Sequence, residues 1–301
     1  MSVSALFDAE DRRRAAVFEQ DWRKRRLAHR LQNLGWLLLV SALLAVSLEL
    51  SELRNSSVGL GWGERVATFV DRMTPHLRAD ALFASRNTDG SLASWFYDLP
   101  LWLVAIRETV AMAIVGTLVG GVFALSLSFL AASNLNANRP LRVLIRRSLD
   151  AARTIPDVIL ALIFASAFSL GPVAGVLTLI VSTTGSLGKL FSECMENARI
   201  REVEAIAATG GNWLLQMRFG VIPQLLPQLV SYWLLRLELN LSAAAALGIV
   251  GAGGIGVELQ RAISFTEFDT YLAILLLIIA CITVIDLVSE RLRHRLIGAM
   301  A

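Results

Sequence analysis

The stretch "LGIVGAGGIG", residues 247–256, decides how this chain is read. Gly251, Gly253 and Gly256 match G-x-G-x-x-G, an apolar run precedes them, and Glu267 and Asp269 follow. In a soluble chain that order means strand, glycine turn, helix and a ribose-binding acid. The run upstream argues against it. Leu225 to Val250 is far longer than a sheet strand and long enough to cross a bilayer core of about 30 Å as a helix. The glycines then close a membrane span, as a flexible loop or re-entrant turn. Irregular backbone survives at that depth only if buried in protein or lining a cavity.

The rest of the chain agrees with the membrane reading. Hydrophobic residues make up 55% of its 301 residues, with a mean hydropathy of +0.59. The excess is collected into six runs: Leu34–Leu50, Ile106–Ala132, Leu149–Leu170, Val173–Phe191, Leu225–Val250 and Tyr271–Val288. The expected fold is an all-α polytopic membrane protein with six transmembrane helices. Arginines gather before the first run, after the second (Arg139, Arg142, Arg146, Arg147) and in the final "ERLRHRL". By the positive-inside rule both termini are expected to be cytoplasmic. Nucleic-acid binding is a poor account of a net charge of +3 whose basic clusters sit at the ends of apolar runs.

This divides the chain into a basic segment 1–33, a membrane anchor 34–50, an extracytoplasmic loop 51–105, a core 106–290 and a tail 291–301. The leading segment is too long for a signal peptide and no small-x-small site follows it, so the anchor reads as retained. Within the loop, "ERVATFVDRM" repeats apolar residues at helical spacing and reads as a surface helix.

Between the fourth and fifth runs lies "ECMENARIREVEAIAATGGNWLLQMRFGVIPQLLPQ", which is too long for a turn. Gly210 and Gly211 interrupt its helical spacing, and Asn212 suits the N-cap of a second helix. Helix, glycine corner and helix would run along the cytoplasmic surface over residues 197–222. Glu204, Ala205, Gly210, Ile222 and Pro223 resemble the Glu-Ala…Gly…Pro loop of ATP-binding-cassette importer permeases, although Ile206 and Gly220 depart from its pattern. "RTIPDVILALIF", "GPVAGVLTLIVSTTGSLGKLF" and "LGIVGAGGIG" extend the resemblance, over most of 105–295, to the phosphonate-type branch. The resemblance implies a permease subunit importing a phosphonate or related phosphorus oxyanion by alternating access. Glu204, Ala205, Gly210, Gly211, Ile222 and Pro223 would couple it to the ATPase. It implies as partners two ATPase subunits that carry the ATP and magnesium, a second permease subunit, like or unlike, and an extracytoplasmic solute-binding protein. Membrane lipid surrounds the chain, and no cofactor is expected on it.

Polar residues within the runs are costly facing lipid and mark a path or a packing contact. Arg236, Glu238, Asn240 and Ser242 lie along the fifth run, and Ser182, Thr183 and Thr184 form a hydroxyl cluster in the fourth. Arg236 can attract an anion, and hydroxyls can donate to it without trapping it. Gly251, Gly253, Gly254 and Gly256 would form part of an outer gate. Other classes fare worse. "GSLGKL" at 185–190 lacks the spacing and the Ser/Thr of a P-loop. His29, His76 and His294 lie outside the runs, which leaves no metal or Ser-His site in the membrane.

Overall fold

A computed structural model describes residues 3–50, 61–135 and 138–298. The described residues fold as helices and connecting turns. The chain divides into two compact units, Met1–Val66 and Ala67–Ala301. The first consists largely of α1 (Val3–Leu50), a single long helix basic in its first half and apolar in its second. Residues 51–60 of the loop expected outside lie beyond the described set. After them comes α2 (Trp62–Met73), the amphipathic helix read from "ERVATFVDRM".

The core of the second unit is a pair of helices, α4 (Leu99–Ala131) and α7 (Pro172–Glu196). Short α3 (Leu92–Trp95), capped by the Ser91 hydroxyl, leads into α4. The face α4 turns inward is made of small residues, among them Ala113, Gly116, Gly120, Gly121 and Ala124. A methyl group on Gly120 would stand 2.8 Å from the Ile180 carbonyl oxygen of α7. Backbone therefore lies on backbone, the close approach that holds membrane helices together when no water is expelled between them. Gly121 leaves the space that Trp233 fills, and the indole nitrogen donates to the Thr117 carbonyl at 3.0 Å. Opposite faces of α4 carry exposed Leu118, Val122 and Phe123, which suits a lipid-facing surface.

Around this pair stand α10 (Ile222–Leu247), α11 (Ile255–Ser264) and α12 (Phe268–Gly298). Five helices are long and apolar enough to cross a membrane, and a sixth span is counted if one bent pair is taken together. That pair is α5 (Arg139–Thr154) and α6 (Asp157–Phe168), which meet at 91°. The run Leu149–Leu170, expected as one span, is therefore sharply bent within its length. Pro156 has no N–H and pushes Ile155 out of helical angles, to φ −75° and ψ 124°. Before the break the helix is amphipathic and arginine-rich; after it, apolar.

Candidate functional site

Two regions gather the polar residues of the bundle. The first lies midway along α7 and α10, where Arg236 and Asn240 are one turn apart and project toward the same neighbour. Arg236 donates to Ser182 Oγ at 2.7 Å and, at 3.4 Å, to Thr183 Oγ1. Asn240, fully buried, donates to Thr183 Oγ1 at 2.7 Å and to Thr117 Oγ1 of α4 at 2.8 Å. Asp157, in the first turn of α6, is the carboxylate whose charge acts on Arg236. One cation is thus held among hydroxyls and an amide inside an apolar bundle. Such a setting favours a small anion and donates several hydrogen bonds to it.

The other residues read along these helices lie elsewhere. Thr184 donates to the carbonyls of Ile180 and Gly120, tying α7 to α4. Glu238 faces α12 and pairs with Arg293 at 3.2 Å rather than with Arg236. Ser242 is exposed. Thr117 and Arg293 carry no motif, and the sequence reading did not single them out.

At the end of the bundle where α4 and α7 begin, the glycine stretch forms a packed turn. A 3-10 turn (Gly248–Val250) ends α10; Gly251, Gly253 and Gly254 then take φ of +84°, +85° and +72°. Residues 252–256 are buried, so the stretch is not a loose loop. The Gly251 carbonyl accepts from Gly171 N at 2.9 Å, joining this turn to the one before α7. Thr109 Oγ1 of α4 accepts from Ile255 N at 2.8 Å and satisfies the first turn of α11. Beside it a cavity of about 280 Å³ is lined by Tyr97, Asp98, Glu258, Arg261 and Glu267 among others. Burial pushes the Tyr97 phenol up, and the Glu267 charge adds to the shift.

The second polar region is at the opposite end. Helix α8 (Ile200–Ala208) stops at Gly210, whose φ of +81° turns the chain left-handed. Gly211 N donates to the Ile206 carbonyl at 3.0 Å and Gly210 N to that of Ala207, the closing pattern of a Schellman cap. Asn212 then caps α9 (Trp213–Leu215) by accepting from Leu215 N at 3.0 Å. The corner matches the one read from the sequence, but the second helix does not stop. It widens into a π turn over Gln216–Val221 and continues through Ile222 and Pro223 as α10.

Glu204 and Ala205 are exposed on α8, whereas Val203 and Ile206 pack on Gly220. The glycine that replaces an aliphatic residue there lets α8 lie close against the π turn. Three side chains unmarked in the sequence reading fix the corner. Gln216 Nε2 donates to the Gly211 carbonyl at 2.9 Å, and Gln224 Oε1 accepts from Arg199 N at 2.9 Å. Trp213 Nε1 donates to the Leu135 carbonyl beyond α4 at 3.2 Å. Nearby, Glu196 at the end of α7 pairs with Arg146 of α5 and accepts from Ser133 N at 2.8 Å. The corner is thus tied through Trp213 to the segment after α4, and the end of α7 is tied to α5.

Comparison with known proteins follows this geometry. A putative phosphite transport system permease protein of Stutzerimonas stutzeri is 31% identical over 271 residues, 90% of this chain and 89% of the relative. A phosphite transport system permease protein of the same organism is 37% identical, over 64% of this chain and 70% of the relative. A putative cryptic phosphonate transport system permease protein of Escherichia coli K12 is 46% identical over 121 residues, 40% of this chain and 99% of the relative. The fold matches the inward-facing MetNI methionine ABC transporter with a TM-score of 0.59 and 22% identity, over 67% of this chain and 97% of that one. A bacterial alginate ABC transporter matches with a TM-score of 0.58 and 14% identity, over 86% of this chain and 96% of the other. Residues 124–298 match the model of the binding-protein-dependent transport system inner membrane component, and the chain belongs to that family of membrane permease subunits.

Proposed function

We propose that this chain is the translocation subunit of an ATP-driven importer for a phosphonate or a related phosphorus oxyanion. The observation that carries the reading is Arg236, a lone cation among hydroxyls in mid-bundle. The names of the relatives, phosphite and phosphonate transport permeases, support the same ligand class. The path enters the bundle at the glycine turn of residues 251–256 and passes Asn240, Arg236, Thr183 and Ser182. Two separate ATPase subunits bind ATP and magnesium, a second permease subunit completes the pathway, and a solute-binding protein delivers the anion. The α8–Gly210 corner docks on the ATPase, with exposed Glu204 at the contact.

The test is reconstitution of the complex in liposomes with its binding protein and labelled methylphosphonate. ATP-dependent accumulation is expected from the wild type. Gly210→Val strains the left-handed cap by about 1–2 kcal/mol, and Glu204→Lys reverses the docking charge. Each should lower uptake roughly tenfold and uncouple it from ATP hydrolysis while the protein remains inserted. Wild-type uptake in both variants would remove the corner from the coupling route. Absence of accumulation by the wild type would overturn the ligand class.

Orientation is tested separately. Reporter fusions after Asn138 and Arg201 are expected to read cytoplasmic, and one after Thr266 to read outside. An inside signal at Thr266 would reverse the direction assigned to the path.

A further inference from the structure

Asn240 holds an acceptor that nothing in the bundle uses. Its amide nitrogen spends both hydrogens, on Thr117 Oγ1 and Thr183 Oγ1. The amide is not reversible in place, because Thr117 Oγ1 already gives its hydrogen to the Ala113 carbonyl at 2.6 Å and offers Asn240 only lone pairs. Asn240 Oδ1 is thereby fixed as an acceptor, is buried, and has no donor among the described residues. A buried polar atom left unpaired is uncommon and calls for an account.

The groups beside it have the opposite imbalance. Ser182 and Thr183 accept from Arg236, and neither hydroxyl hydrogen reaches an acceptor among the described residues. Thr183 Oγ1 receives both Arg236 Nε and Asn240 Nδ2, so the donor side and the orphan acceptor meet at one hydroxyl. Arg236 is partly exposed and Asn240 is fully buried.

We propose that this cluster selects a tetrahedral oxyanion that still carries a hydrogen: the monoanion of a phosphonate, phosphite or phosphate. Arg236 and the hydroxyls of Ser182 and Thr183 donate to its oxygens, and Asn240 Oδ1 accepts from its P–OH. An anion without a hydrogen, such as sulfate, leaves Oδ1 unpaired, and sites built to pair a ligand hydrogen discriminate strongly against analogues that lack it. The inference rests on reading Arg236 as the anion station of the proposed path.

The experiment uses the full permease–ATPase complex in nanodiscs without the binding protein, whose own selectivity then does not enter. Equilibrium dialysis compares methylphosphonate with dimethylphosphinate at mildly acidic pH. Both are tetrahedral monoanions of similar size, and only methylphosphonate keeps a P–OH. Methylphosphonate is expected to bind about tenfold or more tightly, and its binding should weaken as pH rises through its second ionisation. Asn240→Leu should bring the two affinities together, while Arg236→Gln weakens both. Equal wild-type affinities, or no saturable methylphosphonate binding, overturn the proposal. The wild-type comparison decides the matter even if Asn240→Leu does not assemble. Equal affinities together with ATP-driven methylphosphonate uptake remove the selection alone; a wild-type complex without uptake removes the proposed function.

Discussion

Arg236→Gln is expected to lower methylphosphonate uptake at least a hundredfold while the chain still inserts and assembles. The guanidinium is the one full positive charge in the mid-bundle cluster, and its bonds to a bound oxyanion would be charge-assisted. Each such bond contributes about 1.5–3 kcal/mol, so losing two removes about 3–6 kcal/mol, or two to four powers of ten. The glutamine amide nitrogen falls near the position of Arg236 Nε and can donate to Thr183 Oγ1, which keeps a contact between α7 and α10. Arg236→Lys keeps the charge but not the planar fork, and should recover part of the activity. Initial uptake rates in proteoliposomes at subsaturating anion measure both. Near wild-type uptake by Arg236→Gln would show that the anion does not pass this residue.

The second large effect is expected at the glycine turn, and it falls on stability as well as transport. A methyl group on Gly256 would lie 2.1 Å from the Ala245 carbonyl oxygen and 2.7 Å from Gly248 Cα, both backbone atoms that cannot turn aside. On Gly254 it would lie 2.4 Å from Thr109 Oγ1, the atom that caps α11, and the residue there has φ +72°. Overpacking costs about 1–3 kcal/mol and left-handed strain a further 1–2 kcal/mol or so. At roughly 2–4 °C per kcal/mol, Gly256→Ala should therefore lower the midpoint of thermal unfolding by about 2–12 °C and Gly254→Val, which adds the left-handed strain, by about 4–20 °C. Gly210→Val makes a useful contrast, since nothing lies within 4 Å of its added carbon. Thermal unfolding in detergent, followed by tryptophan fluorescence, compares the three. Unchanged midpoints for both turn variants would contradict the packed turn.

How much of this was legible depended on whether the cause was local. The glycine corner was readable because a Schellman cap, a left-handed glycine and an Asn N-cap are all set by neighbours in sequence. Hydrophobic run length marked the long helices for the same reason. The bend after Thr154 was only half visible: the apolar stretch through Leu170 hid it, although Pro156 restricts the residue before it. Glu238 shows the limit more sharply. Its partner Arg293 is 55 residues away, on another helix, and spacing along α10 gives no means of choosing it over Arg236. Thr117 sits in an apolar run with nothing to mark its hydroxyl. For the stretch 251–256 the sequence left a flexible loop and a re-entrant turn both open, because small residues permit loose backbone and very close packing alike, and only its neighbours decide which.

The close seating of α4 on α7 has a mechanical consequence. Gly116 rests against Leu179, and Gly120 against Ile180 and Thr183, so neither helix can slide along the other without driving atoms together. The pair is a stator. On the proposed function, a stroke that reaches the membrane from the α8 corner is taken up where the helical ladder is already interrupted. Among such joints are the right-angle break at Ile155–Pro156 and the π turn at Gln216–Val221, whose spare residue can migrate. Work done by the proposed ATPase would then be concentrated in a few backbone torsions at those joints, with α4 and α7 held together as one body.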